Sequence, residues 1–324
     1  MTNRKDFTTL AAHETTQSLI ANLLDERESM LQRQKHQEDV RRYLQQHFRI
    51  RDWGLSLPRG SGMETYFAQG DGQKYFIKVG VAVEPYSAMA EAGLTPPIIA
   101  QGELEGGPSI MIQPFIEGRK PSSKDFCDQL EKVAAIVHKM HHDSETRAKL
   151  PSTSSNDFRY AGLRALHRLL AKWERYKTHF PTIANFVDRS IDRLSEQVSL
   201  FSGEGLVASH NDICNANWLF ASDGKIYIVD FESMSLDDPA ADLGALLWWY
   251  YPPDLRQRFL ERAGYPYDDE FKLRMRLRMA IHCLSITLPR DGSFDQFNPE
   301  RFGESLRDFG AVLDGKENPE GYIK

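Results

Sequence analysis

The amino-acid sequence predicts an α+β chain in two lobes, a small antiparallel β-sheet followed by a mainly helical part, with a helical extension at the N-terminus. Three observations carry this expectation. Residues 53–79 read as short β-like runs, WGLSLP, TYFAQ and KYFIKVG; Gly70-Asp71-Gly72 between the last two is a hairpin signal, because these residues accept the positive φ angles of a tight turn. After Gly118 the apolar positions recur at helical spacing through most of the chain. A length of 324 residues suits two domains of ordinary size.

Residues 6–48 contain neither Pro nor Gly and are rich in helix formers, which predicts one or two helices over an extension of residues 1–50. Within it, DERESMLQRQKHQED is too polar for a core and reads either as a solvated helix face or as an arm for a partner. The sheet lobe spans residues 51–117. After the strands already named it holds a helix over 83–92, stopped by Gly93 and Pro96-Pro97, and strands around IIAQG and SIMIQPF. The boundary lies near 114–119, and residues 118–324 form the helical lobe. That lobe opens on the capped stretch SSKDFCDQLEKVAAIVHKMHH and continues with helices over 157–177, 182–200, 239–250, 253–263, 268–287 and 299–313.

Composition narrows the function classes. Hydrophobic residues at 41% and charged residues at 27% are ordinary for a globular protein, and a formal charge of −6 gives no basic field for a nucleic-acid backbone. A cationic small molecule is the easier partner. Three separated cysteines make neither a zinc pair nor a disulfide framework, the first residues lack an apolar signal core, and no apolar run is long enough for a bilayer. These features point to the cytoplasm, with no membrane partner.

The chemistry is concentrated in LVASHNDICNANWLFASDGKIYIVDF, residues 206–231: strand, polar loop, strand, Asp-Gly turn, strand. With the turn centred on Asp223-Gly224, antiparallel pairing sets Phe220 opposite Tyr227, Leu219 opposite Ile228 and Asn217 opposite Asp230, so that two hard oxygen ligands face each other. Asp230 ends an apolar run, where a carboxylate needs a cation or several hydrogen bonds to offset its desolvation. Mg²⁺ suits this pair, since it accepts a few protein oxygens and completes its octahedron with water and phosphate. Asp212 would stand beside the metal, placed to orient a hydroxyl and accept its proton, while His210 braces the loop.

His210, Asp212 and Asn217 form H-x-D-x-x-x-x-N, followed by Asp230-Phe231-Glu232 and then DDPAADLG with Asp238, Pro239 and Asp242. These motifs, in this order, resemble the catalytic and metal loops of aminoglycoside phosphotransferases and choline kinases, with a likeness extending from about Trp53 to residue 290. The resemblance implies a protein-kinase-like fold, ATP and Mg²⁺ as cofactors, a small-molecule hydroxyl as acceptor, and a structural role for Asp242 as anchor of the catalytic loop. It also implies that Lys78 holds the α/β phosphates and that IMIQPFIEG is the interlobe segment whose Gln113, Pro114 and Phe115 meet adenine. The acidic partner of Lys78 is Glu84 or Glu91, on one helix face two turns apart, with Glu84 nearer the family spacing and Pro85 departing from it. In PRGSGMETYF, Gly60, Ser61 and Gly62 could let backbone N–H groups approach phosphates, or form an ordinary turn.

The acceptor is less legible. Trp248, Trp249, Tyr250 and Tyr251 could cage a quaternary ammonium or pack a core. Glu232, Asp237 and Asp238, with Asp291, Asp295 and Glu300 further on, could bind amino groups of an aminoglycoside or amino sugar, or be solvated. Two other functions compete with small-molecule phosphorylation. One is a catalytically silent nucleotide-binding regulator; the other is a protein kinase, disfavoured by Asp-Phe-Glu in place of Asp-Phe-Gly and by the lack of a following Ala-Pro-Glu.

Overall fold

The computed structural model describes residues 34–58, 65–105, 107–286, 288 and 297–322. The chain divides into two compact units: residues up to Val83 with Ile98–Phe115, and Glu84–Pro97 with the residues from Ile116 on. No helix among the described residues is long and apolar enough to cross a membrane.

The first unit is a five-stranded antiparallel sheet in the order β1-β2-β3-β5-β4, from β1 (Gly54–Ser56), β2 (Thr65–Gly70), β3 (Gln73–Val79), β4 (Ala100–Glu103) and β5 (Ser109–Pro114). Asp71 and Gly72 both have positive φ, so β2 and β3 meet in a two-residue hairpin with Gly70 opposite Gln73. Strand alternation then sorts the side chains. Tyr66, Ala68, Ile77, Val79, Ile110 and Ile112 form one apolar face, joined by Trp53 and covered by Val40 and Leu44 from helix α1, described over residues 34–48. Residues 34–48 of the N-terminal segment thus pack with the sheet unit: two fully buried aliphatic side chains on α1 stabilise it by several kcal/mol, at roughly 1.5–3 kcal/mol each. Expectations for residues 6–33 fall outside the described residues.

The second unit is built on helices. They are α2 (Val83–Glu91, all but its first residue), α3 (Ser123–Asp128), α4 (Leu130–His142), α5 (Ser144–Lys149), α6 (Phe158–Tyr176), α7 (Ala184–Val198), α8 (Ala240–Tyr250), α9 (Pro253–Ala263), α10 (Asp269–Ser285) and α11 (Pro299–Leu313). Short strands join them: β6 (Gly118–Arg119), β8 (Trp218–Ala221) and β9 (Ile226–Ile228) form one antiparallel sheet, and β7 (Val207–Ser209) pairs with β10 (Ser235–Asp237). The stretch expected as one capped helix is two. Ser122 caps α3 in a reciprocal capping box with Asp125, and the chain leaves helical geometry at Gln129 before α4 resumes.

Helix α8 is apolar on nearly every side and lies in the core, with Leu243, Leu246 and Leu247 buried. It approaches α10 so closely that a Cβ on Gly244 would lie 2.5 Å from the carbonyl oxygen of Met275. Since the obstacle is backbone, Gly244→Ala should force the helices apart at a cost of roughly 1–3 kcal/mol. Urea unfolding should show a lower midpoint at unchanged slope; an unshifted midpoint would contradict this packing.

Candidate active site

The expected pairing of the β8–β9 hairpin needs correction by one residue. Trp218 pairs with Ile228, Leu219 with Tyr227 and Phe220 with Ile226. The cause lies in the turn: the Gly224 N–H donates to Ala221 O at 3.0 Å, and Gly224 then adopts φ 86°, which gives a three-residue loop with a bulge instead of a two-residue turn. Asn217 therefore bonds to Val229, whose N–H donates to Asn217 O at 2.9 Å, and Asp230 follows one residue beyond the expected pair. Asp230 itself is left-handed at φ 73°, ψ 67°. A non-glycine residue held there costs on the order of 1–3 kcal/mol, so its surroundings must impose it. The next residue supplies an anchor: Phe231 is buried, packs against the rings of Tyr86 and His210, and donates its N–H to the Tyr86 hydroxyl at 3.1 Å.

The loop after β7 is organised around Asp242, in the first turn of α8. Its buried carboxylate accepts the N–H of His210 at 2.7 Å and of Asn211 at 2.8 Å, and lies 3.1 Å from Nε2 of His141 on α4. Burial alone would raise its pKa, but the bond and charge of His141, with His210, outweigh it and hold the group below the ordinary carboxylate value. Asn211 is left-handed at φ 61°, and its amide donates to Ser209 O at 3.2 Å and Ser235 Oγ at 3.0 Å, tying the loop to the β7–β10 pair. His210 is wholly buried. Its Nδ1 accepts the Asp212 N–H at 3.3 Å and its Nε2 donates to Val229 O at 2.9 Å, so both ring nitrogens are committed to holding the loop.

So held, Asp212 lines a cavity of about 410 Å³ together with Asn211, Ser233, Ser235, Arg168 and Lys172 of α6 and Arg278 and His282 of α10. The Asn217 amide nitrogen donates to Asp212 O at 2.7 Å, which leaves its Oδ1 as the atom able to bind a cation. Asn217 Oδ1 and the Asp230 carboxylate are hard oxygen donors on adjacent segments. No group of three or more His, Cys, Asp or Glu among the described residues could hold a metal, so an ion here would take most of its shell from water and phosphate, as Mg²⁺ does. The residues fit that ion.

The expected nucleotide residues belong to both units. Lys78 and Gln113 lie on the sheet face opposite α1, both buried, with Phe76, the cross-strand partner of Gln113, between them. Phe115 follows β5 and packs edge-on against Phe67. Glu84 is exposed in the first turn of α2, and Glu91 ends that helix 3.5 Å from Lys149. Gly60, Ser61 and Gly62 lie outside the described residues.

Several of the features suggested for a cationic acceptor are otherwise engaged, while Glu232 and Glu300 are exposed. Tyr250 accepts the Asn215 N–H at 2.9 Å, Tyr251 donates to Phe126 O at 3.0 Å, and both are buried with Trp248, so these three are core packing, while half-buried Trp249 stands edge-on to His282. Asp237 and Asp238 are fully buried and face arginines: Asp237 lies 2.9 Å from Arg278, 3.4 Å from Arg164 and 3.8 Å from Arg168, and Asp238 lies 3.2 Å from Arg274. Burial without compensation is costly, and these ion pairs offset part of it. Asp291 and Asp295 lie outside the described residues, while Glu300 is in the first turn of α11. Residues that sequence reasoning missed are His141, which nothing marks in KMHH, and the basic residues of α6 and α10. A signal for the latter existed: Arg164, Arg168 and Lys172, and Arg274, Arg278 and His282, recur every four residues and so share helix faces.

Two outcomes follow for the loop and the cavity wall. Asp242→Asn replaces one accepting oxygen by a donor facing backbone N–H groups and should cost roughly 3 kcal/mol in denaturant unfolding; a loss near zero would show that the carboxylate does not hold the loop. Burial pushes His282 down to about 4, opposed by Asp212 and Asp242 and aided by Arg278 and Lys172. The folded protein keeps this imidazole neutral while the unfolded chain protonates it near pH 6.5, so stability present above that pH is lost as pH falls towards 4, by on the order of 2 kcal/mol. His282→Gln should flatten the melting temperature between pH 7 and 4.5, and an unchanged slope would contradict the assignment.

A family model described as the phosphotransferase enzyme family matches residues 58–276. The fold is shared with solved structures of low identity. A choline kinase from Streptococcus pneumoniae is 15% identical over 86% of this chain and 99% of its own, at a TM-score of 0.61. A spectinomycin phosphotransferase solved with ADP and spectinomycin is 16% identical over 86% and 96%, at 0.58. A provisionally assigned aminoglycoside phosphotransferase from Ralstonia eutropha is 17% identical over 86% and 96%, at 0.63. The fold is thus the protein-kinase-like one of these enzymes, and with the family match spanning more than half of its residues the chain belongs to the phosphotransferase enzyme family.

Proposed function

We propose that the protein transfers the γ-phosphate of ATP to a hydroxyl of a small molecule. One observation carries the reading: a loop clamped by Asp242 presents the Asp212 carboxylate to a cavity, while the same loop ties the Asn217 amide so that its oxygen can serve a cation beside Asp230. Phosphoryl transfer needs little covalent help from a protein; it needs alignment and compensation of negative charge.

In the proposed reaction Asp212 accepts a hydrogen bond from the acceptor hydroxyl and aligns its oxygen with the γ-phosphorus. A bond forms between that oxygen and phosphorus, the bond to the ADP oxygen breaks, and the hydroxyl proton passes to the Asp212 carboxylate. Mg²⁺, bound by Asn217 Oδ1 and Asp230, would neutralise charge on the phosphates. His210 keeps the loop in register without exchanging a proton. On the sheet unit, Lys78 would serve the phosphates and Gln113 and Phe115 the base. Gly60, Ser61 and Gly62 and either Glu84 or Glu91 complete the nucleotide set by resemblance.

Asp212→Asn keeps the shape of the side chain and removes the proton acceptor. ATP consumption with a productive acceptor should fall by about 10²–10⁴-fold, while nucleotide affinity measured by titration calorimetry stays within about threefold. Turnover equal to that of the unaltered protein would exclude the mechanism.

A further inference from the structure

Helices α8 and α10 each turn a different face to a second cavity, of about 300 Å³. Ala241, Asp242 and Ala245 of α8 line the cavity of Asp212, whereas Gly244, Leu247 and Trp248 line this one. The end of α11 and the start of α9 complete its wall, with Val312 and Gly315 from the one and Pro253 from the other. Its floor is apolar, formed by Leu247, Met275, Met279 and Val312, all buried. The space matches the lower end of the range for small-molecule sites.

Four cations line this cavity, Arg256, Lys272, Arg276 and Lys316, and three of them face carboxylates. Arg256 lies 2.7 Å from Glu317, Lys272 lies 2.8 Å from Asp269 and Lys316 lies 2.8 Å from Asp314. Arg276 has no ion pair or hydrogen bond among the described residues, and its Nε is closed off from solvent without an acceptor. The guanidinium stands at the C-terminus of α11, where a Cβ on Gly315 would lie 3.3 Å from its Nη1. The negative end of the helix dipole favours a cation there, but the carbonyls of Gly310, Ala311 and Val312 already accept the N–H groups of Asp314, Lys316 and Gly315. Trp248 adds a second donor. Its side chain lines the cavity at 8% exposure, and its indole N–H has no acceptor among the described residues. Unmatched donors in a largely buried wall are costly, and an anion with two or three oxygens can satisfy both.

We infer that this cavity is a second binding site, for a small organic anion whose carboxylate or phosphate is held by Arg276 and the Trp248 N–H while its apolar body lies on Leu247, Met275 and Met279. The guanidinium fork presents parallel N–H groups, which suit the oxygens of either anion. An ammonium would meet two donors, and the carboxylate that lines the cavity, Glu317, is engaged by Arg256 and Tyr322. A neutral ring would cover the apolar floor and leave the guanidinium unmatched. Such a site is independent of phosphotransfer at Asp212.

Benzoate, phenyl phosphate, benzamide and benzylamine share one ring and differ in charge, so they test the site when titrated by calorimetry into the full chain with a non-hydrolysable ATP analogue present. At least one of the two anions should bind about tenfold or more tightly than benzamide and benzylamine, and which one does so tells carboxylate from phosphate. Arg276→Gln should erase that preference, while Arg168→Gln, in the cavity beside Asp212, should leave it intact. In nuclear magnetic resonance spectra of the unaltered protein, the indole N–H signal that Trp248→Phe removes should shift as the bound anion saturates. If Arg276→Gln does not fold, that signal decides alone. No saturable binding of either anion below about 10 mM overturns the inference. So does a preference that survives Arg276→Gln, one that is lost in Arg168→Gln instead, or a Trp248 signal that stays in place.

Discussion

The carboxylate of Asp242 is the constraint on which the site depends. Two successive backbone N–H groups, of His210 and Asn211, point at one buried group, which fixes the peptide planes of the loop and forces Asn211 into a left-handed conformation. Hydrogen bonds to a charged acceptor contribute roughly 1.5–3 kcal/mol each, enough to offset the strain of one left-handed residue. Because Asp242 rides on α8, and α8 is locked against α10 at Gly244, the rigidity of the core passes directly to the loop that carries Asp212. His141 adds a third element, α4, to the same carboxylate.

The proposed metal pair arises from a second, local constraint. The bulged turn at Gly224 sets the register that bonds Asn217 to Val229, and the left-handed Asp230 turns the chain immediately afterwards into the anchored Phe231. The strain sits on the residues with a proposed chemical task and on their neighbours, as expected where a scaffold holds polar groups in positions that the chain would not choose by itself. The cluster behind the cavity follows from the same arrangement. Asp237 and Asp238 lie where β10 gives way to α8, and burying them required arginines from α6 and α10.

Much of this was legible in the sequence. The helices from α6 to α11 begin close to where they were expected, because Asp157, Asp268 and Asn298 sit before apolar periodic runs and do cap the following N–H groups. The β2–β3 hairpin and the order of the catalytic motifs were readable for the same reason, a local signal with a local cause. The one-residue error in the β8–β9 register arose because Ser222-Asp223-Gly224 permits a two- or a three-residue loop, and only the closing hydrogen bonds decide. Strands as short as β6 and β10 carry no periodicity. His141 reaches Asp242 across 101 positions, a tertiary fact without local trace. The acceptor was the least legible part, since net charge is a property of the whole chain, whereas a cavity selects its own residues: a chain of net charge −6 places Arg168, Lys172 and Arg278 in one cavity wall.

The most direct test of the account is a crystal structure with Mg²⁺ and a non-hydrolysable ATP analogue. The account predicts Asn217 Oδ1 and the Asp230 carboxylate as direct ligands of the ion, with Asp212 off the metal, facing the cavity, and its loop still bonded to Asp242. A metal bound without Asn217 and Asp230, or a loop detached from Asp242, would contradict it.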